Sequence, residues 1–177
     1  MQPNPSTPHV HLSGTEVACA MLIAARRRLE NVRIHKRKDA HGFNPQHAWH
    51  AEIEGVMAEM ALAKHLDHYY GGAGEFRGAD VGDIEQVKQT TYPKGRLCLN
   101  FNAVEDNHRY WLLIGRDGDY DIKGWIWGRD AQKDEFIDDP LAKKKGIPKD
   151  RPAWFVPWNA LTQENGRIRT PTPNTRR

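Results

Sequence analysis

Apolar positions recur with a helical period in the first third of the chain and with a period of two after it. Val17, Ala20, Met21, Ala24 and Ala25 form a stripe behind Ser13-Gly14-Thr15-Glu16, the reciprocal capping pattern that opens a helix. This first helix is predicted to run to about Lys36, with a strongly basic second half. After a turn over residues 39–43, Asn44-Pro45 is a cap followed by proline at the first helical position, where the missing N–H is harmless. The second helix, residues 44 to about 68, carries a broad apolar arc of Ile53, Val56, Met57, Met60, Leu62, Ala63 and Leu66. Gly71-Gly72-Ala73-Gly74 ends that region as a flexible loop. Residues 84–91, 96–103, 110–114 and 120–127 then read as strands, separated by Pro-Lys-Gly, Glu-Asp-Asn-His and Arg-Asp-Gly-Asp turns. Their close spacing predicts an antiparallel meander. Residues 130–136 read as a short helix and residues 154–156 as a short strand.

Helices first, strands next and a looser C-terminal region give an α+β reading, or a layered α/β/α one. With 177 residues, no internal repeat and room for one core, the chain divides into a loose arm (1–12), one domain (13–162) and a flexible basic tail (163–177). An apolar fraction of 38% and a mean hydropathy of −0.78 describe a polar but globular chain. The net charge of +3 permits nucleic-acid binding without demanding it. Arg26, Arg27, Arg28, Arg33, Lys36, Arg37 and Lys38 crowd one segment, and Lys143, Lys144, Lys145, Lys149 and Arg151 another. Each run reads either as a solvated face or as a phosphate-contacting one. Cys19 and Cys98 match neither a disulfide framework nor a zinc spacing; lying among apolar residues, they are expected as small core side chains in a reducing compartment. No apolar run approaches the roughly 18 residues of a membrane span, and the Pro-rich start has no secretory signature. The expected location is cytoplasmic, without a membrane partner.

Glu59 projects into the apolar arc of the second helix, and Glu52, two turns earlier, lies on the same side; Glu54 and His65 fall on the polar side. A carboxylate on a core-facing surface needs a cation or hydrogen-bond donors to replace its hydration. An arginine of the first helix is one candidate. Another is a divalent ion, because Asp80, Asp83 and then Gln86-Val87-Lys88 follow. In an extended strand residues two apart share a face, so Gln86 and Lys88 point the same way, with Ile84 and Thr90 in line. Phosphodiester hydrolysis requires neutralising charge on the phosphoryl oxygens and delivering water in line with the leaving group. Glu59 with Asp80 or Asp83 offers hard oxygen ligands for Mg²⁺, and the Gln86 carbonyl offers a neutral one. Lys88 suits the orientation of water or the stabilisation of the charged transition state. His47 with His50 and His65 with His68 have helical spacing but no cysteine to complete a zinc set, and read as exposed helical residues. His108 reads as a turn residue. Trp125 and Trp127 share one strand face beside Tyr110 and Trp111, for core packing or for base stacking. Tyr92, just past the Lys88 strand, stands within reach of a substrate.

The order of helical acid, turn acid and Gln-x-Lys strand resembles the PD-(D/E)xK nuclease superfamily, with its restriction-endonuclease-like fold. More specifically, several blocks resemble small phage-type members of that superfamily. The blocks that carry it are Ile53-Glu54-Gly55-Val56-Met57-Ala58-Glu59-Met60-Ala61-Leu62-Ala63-Lys64, Ala79-Asp80-Val81-Gly82 and Gln86-Val87-Lys88-Gln89-Thr90-Thr91. Further along they continue as Gly95-Arg96-Leu97, Gly124-Trp125-Ile126-Trp127-Gly128 and Arg151-Pro152-Ala153-Trp154-Phe155-Val156-Pro157. The resemblance implies a mixed central sheet flanked by helices and Mg²⁺- or Mn²⁺-dependent cleavage of nucleic acid, DNA first, in a bacterial or phage-infected cell. By position, Glu59 matches the helical acid, Asp80 (with Asp83 next) the turn acid, Gln86 the variable acid and Lys88 the lysine. Glutamine replaces the usual Glu or Asp, which weakens metal affinity; Glu52 is placed to compensate. Arg26, Arg27, Arg33 and Lys36 would position the backbone and Tyr92 would touch it. Double-strand cutting by so small a protein would call for a homodimer. Two other classes compete: a binding module of the same fold that has lost turnover, and a phage accessory protein that meets a host protein through its Trp-rich surface.

Overall fold

Two helices cover one face of a four-stranded mixed sheet, and a two-stranded ribbon covers the other. The computed structural model describes residues 7–33, 45–72, 78–137 and 153–163. In chain order the elements are β1 (His9–His11), α1 (Gly14–Arg33), α2 (Pro45–His65), β2 (Glu85–Thr90), β3 (Leu97–Asn100), β4 (Arg109–Arg116), β5 (Asp119–Trp127), α3 (Gly128–Ala131) and β6 (Ala153–Val156). The large sheet has the order β1-β5-β4-β2, with β2 and β4 parallel and the other pairs antiparallel. The ribbon pairs β3 with β6 antiparallel.

This corrects the meander expectation. A parallel pair needs a crossover, and the chain makes it by sending β3 out of the sheet to join β6 before β4 returns beside β2. On the second face the ribbon stands where the resemblance implies a helix, among the described residues. Pro8 to Leu12 also departs from the loose-arm reading. His9–His11 pairs with β5, and Leu12, 2% exposed, enters the core. The helix expected to reach Lys36 is described to Arg33; the turn at 39–43, the second basic run and most of the tail lie outside the described residues.

The capping pattern is realised. The Ser13 backbone N–H donates to Glu16 Oε2 at 2.6 Å, and the Glu16 N–H donates to Ser13 Oγ at 3.3 Å. Lys64 Nζ, from the end of α2, also reaches Glu16 Oε2 (2.8 Å) and the His11 carbonyl (3.0 Å). Lys64 above all, and then the Ser13 N–H, hold the Glu16 carboxyl down at about 2, from an ordinary 4.5. A depressed carboxylate stabilises the fold above its unfolded pKa and loses that contribution as pH falls through the folded one. Glu16→Gln is therefore expected to cost about 1 kcal/mol at neutral pH after solvent screening. The gap from wild type in urea unfolding closes between pH 4.5 and 2; a gap that persists at pH 2 would refute this.

Alternation assigns the core. Val87, Trp111, Leu113, Tyr120 and Ile122 face the helices with Val56, Met57, Ala61 and Leu62, whereas Tyr110, Leu112, Ile114 and Ile126 face Leu97, Leu99, Trp154 and Val156 of the ribbon. A bulge makes this possible: Leu113 pairs with Ile122 but Leu112 with Gly124, leaving Lys123 as the extra residue. It moves Ile126 to the ribbon face and Trp125 to the helix face. α1 packs on α2, and its buried positions are Ala20 and Ala24. Cys19 and Cys98 are both exposed, against expectation. Leu97 and Leu99 take the inward positions of β3, so parity turns Cys98 out. Asp117 and Gly118, both with positive φ, form the two-residue turn between β4 and β5 that Asp-Gly favours.

Candidate active site at the edge of the sheet

β2 is an edge strand, and residues 80–85 fold back along its free side. The Asp80 N–H donates to the Glu85 carbonyl at 2.8 Å, and Val81 and Glu85 form a short antiparallel bridge. The reversal needs glycine at 82: φ is +56°, and a Cβ would stand 2.9 Å from His68 Nδ1. Asp80 thereby lies flat against the strand, its Oδ2 accepting the Val87 N–H at 2.7 Å. This satisfies an edge donor and fixes the carboxylate between Gln86 and Lys88. Gln86 Nε2 donates to the Gly78 carbonyl at 2.8 Å, which orients the side-chain amide. Asp83 lies in the exposed turn, so Asp80 is the acid held at the strand.

Glu59 enters from α2, 8% exposed. Arg27 grips it with two parallel bonds, Nη1 to Oε1 at 3.0 Å and Nη2 to Oε2 at 2.8 Å, and the Tyr70 hydroxyl donates to Oε2 at 2.7 Å. Arg27 Nε donates to the Gly72 carbonyl at 3.3 Å, completing the clamp. Burial pushes the Glu59 carboxyl up, the Arg27 bonds oppose it, and the charge of Asp80 pushes it up again. Asp80 and Glu59 are therefore close enough to feel each other. Burial works against the Arg27 charge, but Glu59 more than restores it and Glu52 adds to the attraction. Glu52 shares the side of Glu59 as expected; burial raises its carboxyl against Arg27 and Arg28.

Arg27, expected to position a nucleic-acid backbone, is engaged with Glu59 and is the arginine partner that a core-facing carboxylate requires. Arg26 is exposed and pairs with Glu30 at 3.0 Å, Arg33 is exposed, and Lys36 lies outside the described residues. Lys88 departs from a simple shared site. Val87 packs toward α2, so alternation sends Gln86 and Lys88 out of the other face, where Lys88 pairs in register with Leu112. Glu59 and Lys88 flank the same edge from opposite faces, with Asp80 in the plane between them.

Glu59, Asp80 and the Gln86 carbonyl are hard oxygen donors of the kind Mg²⁺ or Mn²⁺ takes. The mutual repulsion of Asp80 and Glu59 is what a divalent cation would relieve, so the donor chemistry fits; Arg27 occupies the Glu59 end of it. Among the described residues, no three His, Cys, Asp or Glu side chains form a ready cation cage. His47, His50 and His68 are exposed, and His65 packs edge-on against Trp111 at 6.3 Å.

Three buried polar groupings escaped the sequence reading. Glu54, placed on the polar side, is 4% exposed and accepts the Tyr120 hydroxyl at 2.8 Å and the Asp117 N–H at 3.1 Å. A 100° wheel cannot see that the β4–β5 turn comes to cover it. Glu85, 1% exposed, accepts bonds from Arg109 and from Trp111 Nε1 at 2.5 Å, while the Arg109 guanidinium lies 5.1 Å from the Trp125 ring. Here a signal existed, because Glu85 shares the parity of Val87. Tyr70 gave none. Of the aromatic strand residues, Trp111 and Tyr110 are buried core, half-buried Trp125 packs on Trp111 at 6.2 Å, and half-buried Trp127 stands edge-on to Trp125 at 5.7 Å. No family model matches the chain, and neither a curated protein nor a solved structure does.

Proposed function

We propose that the protein is a metal-dependent nuclease of restriction-endonuclease-like fold that hydrolyses phosphodiester bonds, with DNA as the expected substrate. The observation that carries this reading is the pinning of the Asp80 carboxylate to the Val87 N–H between Gln86 and Lys88, within electrostatic reach of Glu59. Asp80, at the strand edge, would hold Mg²⁺ or Mn²⁺ together with Glu59 from the helix face or with the Gln86 carbonyl from the ribbon face. When bound, such an ion polarises the phosphoryl group and lowers the pKa of water. Lys88 presents an ammonium to the face where a strand would lie and stabilises charge growing on the phosphoryl oxygens. Asp80, locked by a backbone donor, keeps its geometry without reorganising. The Gly78 carbonyl holds the Gln86 amide nitrogen, which turns the amide oxygen away from that contact.

Labelled linear, circular and single-stranded substrates, incubated with Mn²⁺ and with EDTA, test the reading. Cleavage is expected only with the ion, and full activity in EDTA would refute it. A second reading, a nucleic-acid-binding protein with weak or lost turnover, is favoured by the Arg27 clamp and by the neutral Gln86. Gln86→Glu separates the two. If the site is incomplete, the added carboxylate tightens the ion and raises cleavage by tenfold or more, about 1.4 kcal/mol; an unchanged or lower rate means that Gln86 already serves.

A further inference from the structure

A cleft of about 840 Å³ opens beside Lys88, lined by Tyr92, Lys94, Arg96, Cys98, Leu112 and Phe155 among others. Its volume lies within the range of sites that enclose a small organic group. Three cations, Lys88, Lys94 and Arg96, line it, and among the described residues no acid does. Tyr92 is 75% exposed at its rim, a large aromatic ring left in water. The Arg96 guanidinium lies over the Phe155 ring at 5.1 Å, so this wall is a flat cation–aromatic layer. Leu112, 1% exposed, gives it an apolar floor.

From these features we infer that the cleft takes an unpaired nucleotide, so that the preferred substrate is single-stranded nucleic acid or an unpaired segment. This rests on the nuclease reading and deepens it. Flat rings and an apolar floor stack on a base face, which a duplex keeps hidden between its neighbours. The cations around the rim meet the phosphates on either side of that base. A duplex would meet the same cations without placing any base in the cleft. The apolar floor and stacked wall would be idle for a purely acidic partner, so a base rather than an acidic peptide is the occupant. Lys88 belongs both to this cleft and to the edge that carries Asp80, which sets the held nucleotide beside the proposed chemistry.

Fluorescence anisotropy in EDTA tests this without turnover, using a labelled oligothymidylate of roughly a dozen nucleotides, a blunt duplex of equal length and a polyglutamate competitor. The single strand is expected to bind at least about tenfold tighter than the duplex. Tyr92→Ala should weaken the single strand about tenfold, as loss of a stacking ring does, and the duplex less than about twofold. Lys94→Gln should lower the salt slope for the single strand by about one. Tyr92 and Lys94 are exposed, and circular dichroism checks that both variants fold. Equal binding of both DNA forms, indifferent to Tyr92, overturns the cleft assignment while leaving the nuclease reading intact. Displacement of the oligothymidylate by polyglutamate at equal charge also overturns it, as recognition would then be of charge alone. Failure to retain either DNA form at low salt overturns both.

Discussion

Lys88→Ala is expected to lower Mn²⁺-dependent cleavage by a factor of about 10²–10³, the loss typical of removing one preorganised charge from a developing oxyanion. Lys88 leaves the ribbon-side face of an edge strand half-buried and donates no hydrogen bond among the described residues, so stability should move by no more than about 1 kcal/mol. The comparison of rate with urea midpoint is therefore clean. Lys88→Arg keeps the charge but not the compact ammonium, and partial activity in it would assign the role to charge rather than to proton handling. Unaltered cleavage by Lys88→Ala would remove Lys88 from the chemistry and the main support of the nuclease reading with it.

Arg27→Ala is expected to give the largest loss of stability, about 3–5 kcal/mol, because it leaves Glu59 buried and unpaired. The side chains are 15% and 11% exposed, so the discount for a surface ion pair does not apply. Urea unfolding measures it. The double substitution Arg27→Met with Glu59→Leu should cost less than Arg27→Ala alone, since two apolar side chains replace two charges. The same variant probes the ion. With Arg27 gone, Glu59 loses its cation while the charge of Asp80 still acts on it, and millimolar Mn²⁺ should raise the melting temperature of Arg27→Ala more than that of wild type. An equal shift in both would make Glu59 a structural anchor between α1 and α2 and nothing more.

The candidate site was half legible. Glu59 is visible from the sequence because a carboxylate interrupts an apolar helical arc, and Lys88 and Gln86 because period two puts them on one face. The identity of the partner that satisfies Glu59 was not, although an arginine of the first helix was the right kind: Arg27 sits in a run of three arginines, and only helix packing selects one of them. In the sequence only the resemblance ranks Asp80 ahead of Asp83. The positive φ at Gly82 separates them by folding Asp80 onto the strand and leaving Asp83 in the turn. Glu54 was misread because a helical wheel records direction about one axis, whereas its burial comes from a turn more than sixty residues later.

What the chain determines by itself is local. The Ser13–Glu16 cap, the proline start of α2, the alternation in β2 to β5 and the Asp117-Gly118 turn all depend on residues a few positions apart, whose sterics and hydrogen bonds act without the rest of the fold. The parallel pairing of β2 with β4, the departure of β3 to β6, the bulge at Lys123 and the capture of Glu59 by Arg27 were decided only in three dimensions. A period states which side a residue faces and not what will be waiting there. The waiting partner is chosen by which arrangement buries the most apolar surface while leaving no buried charge alone.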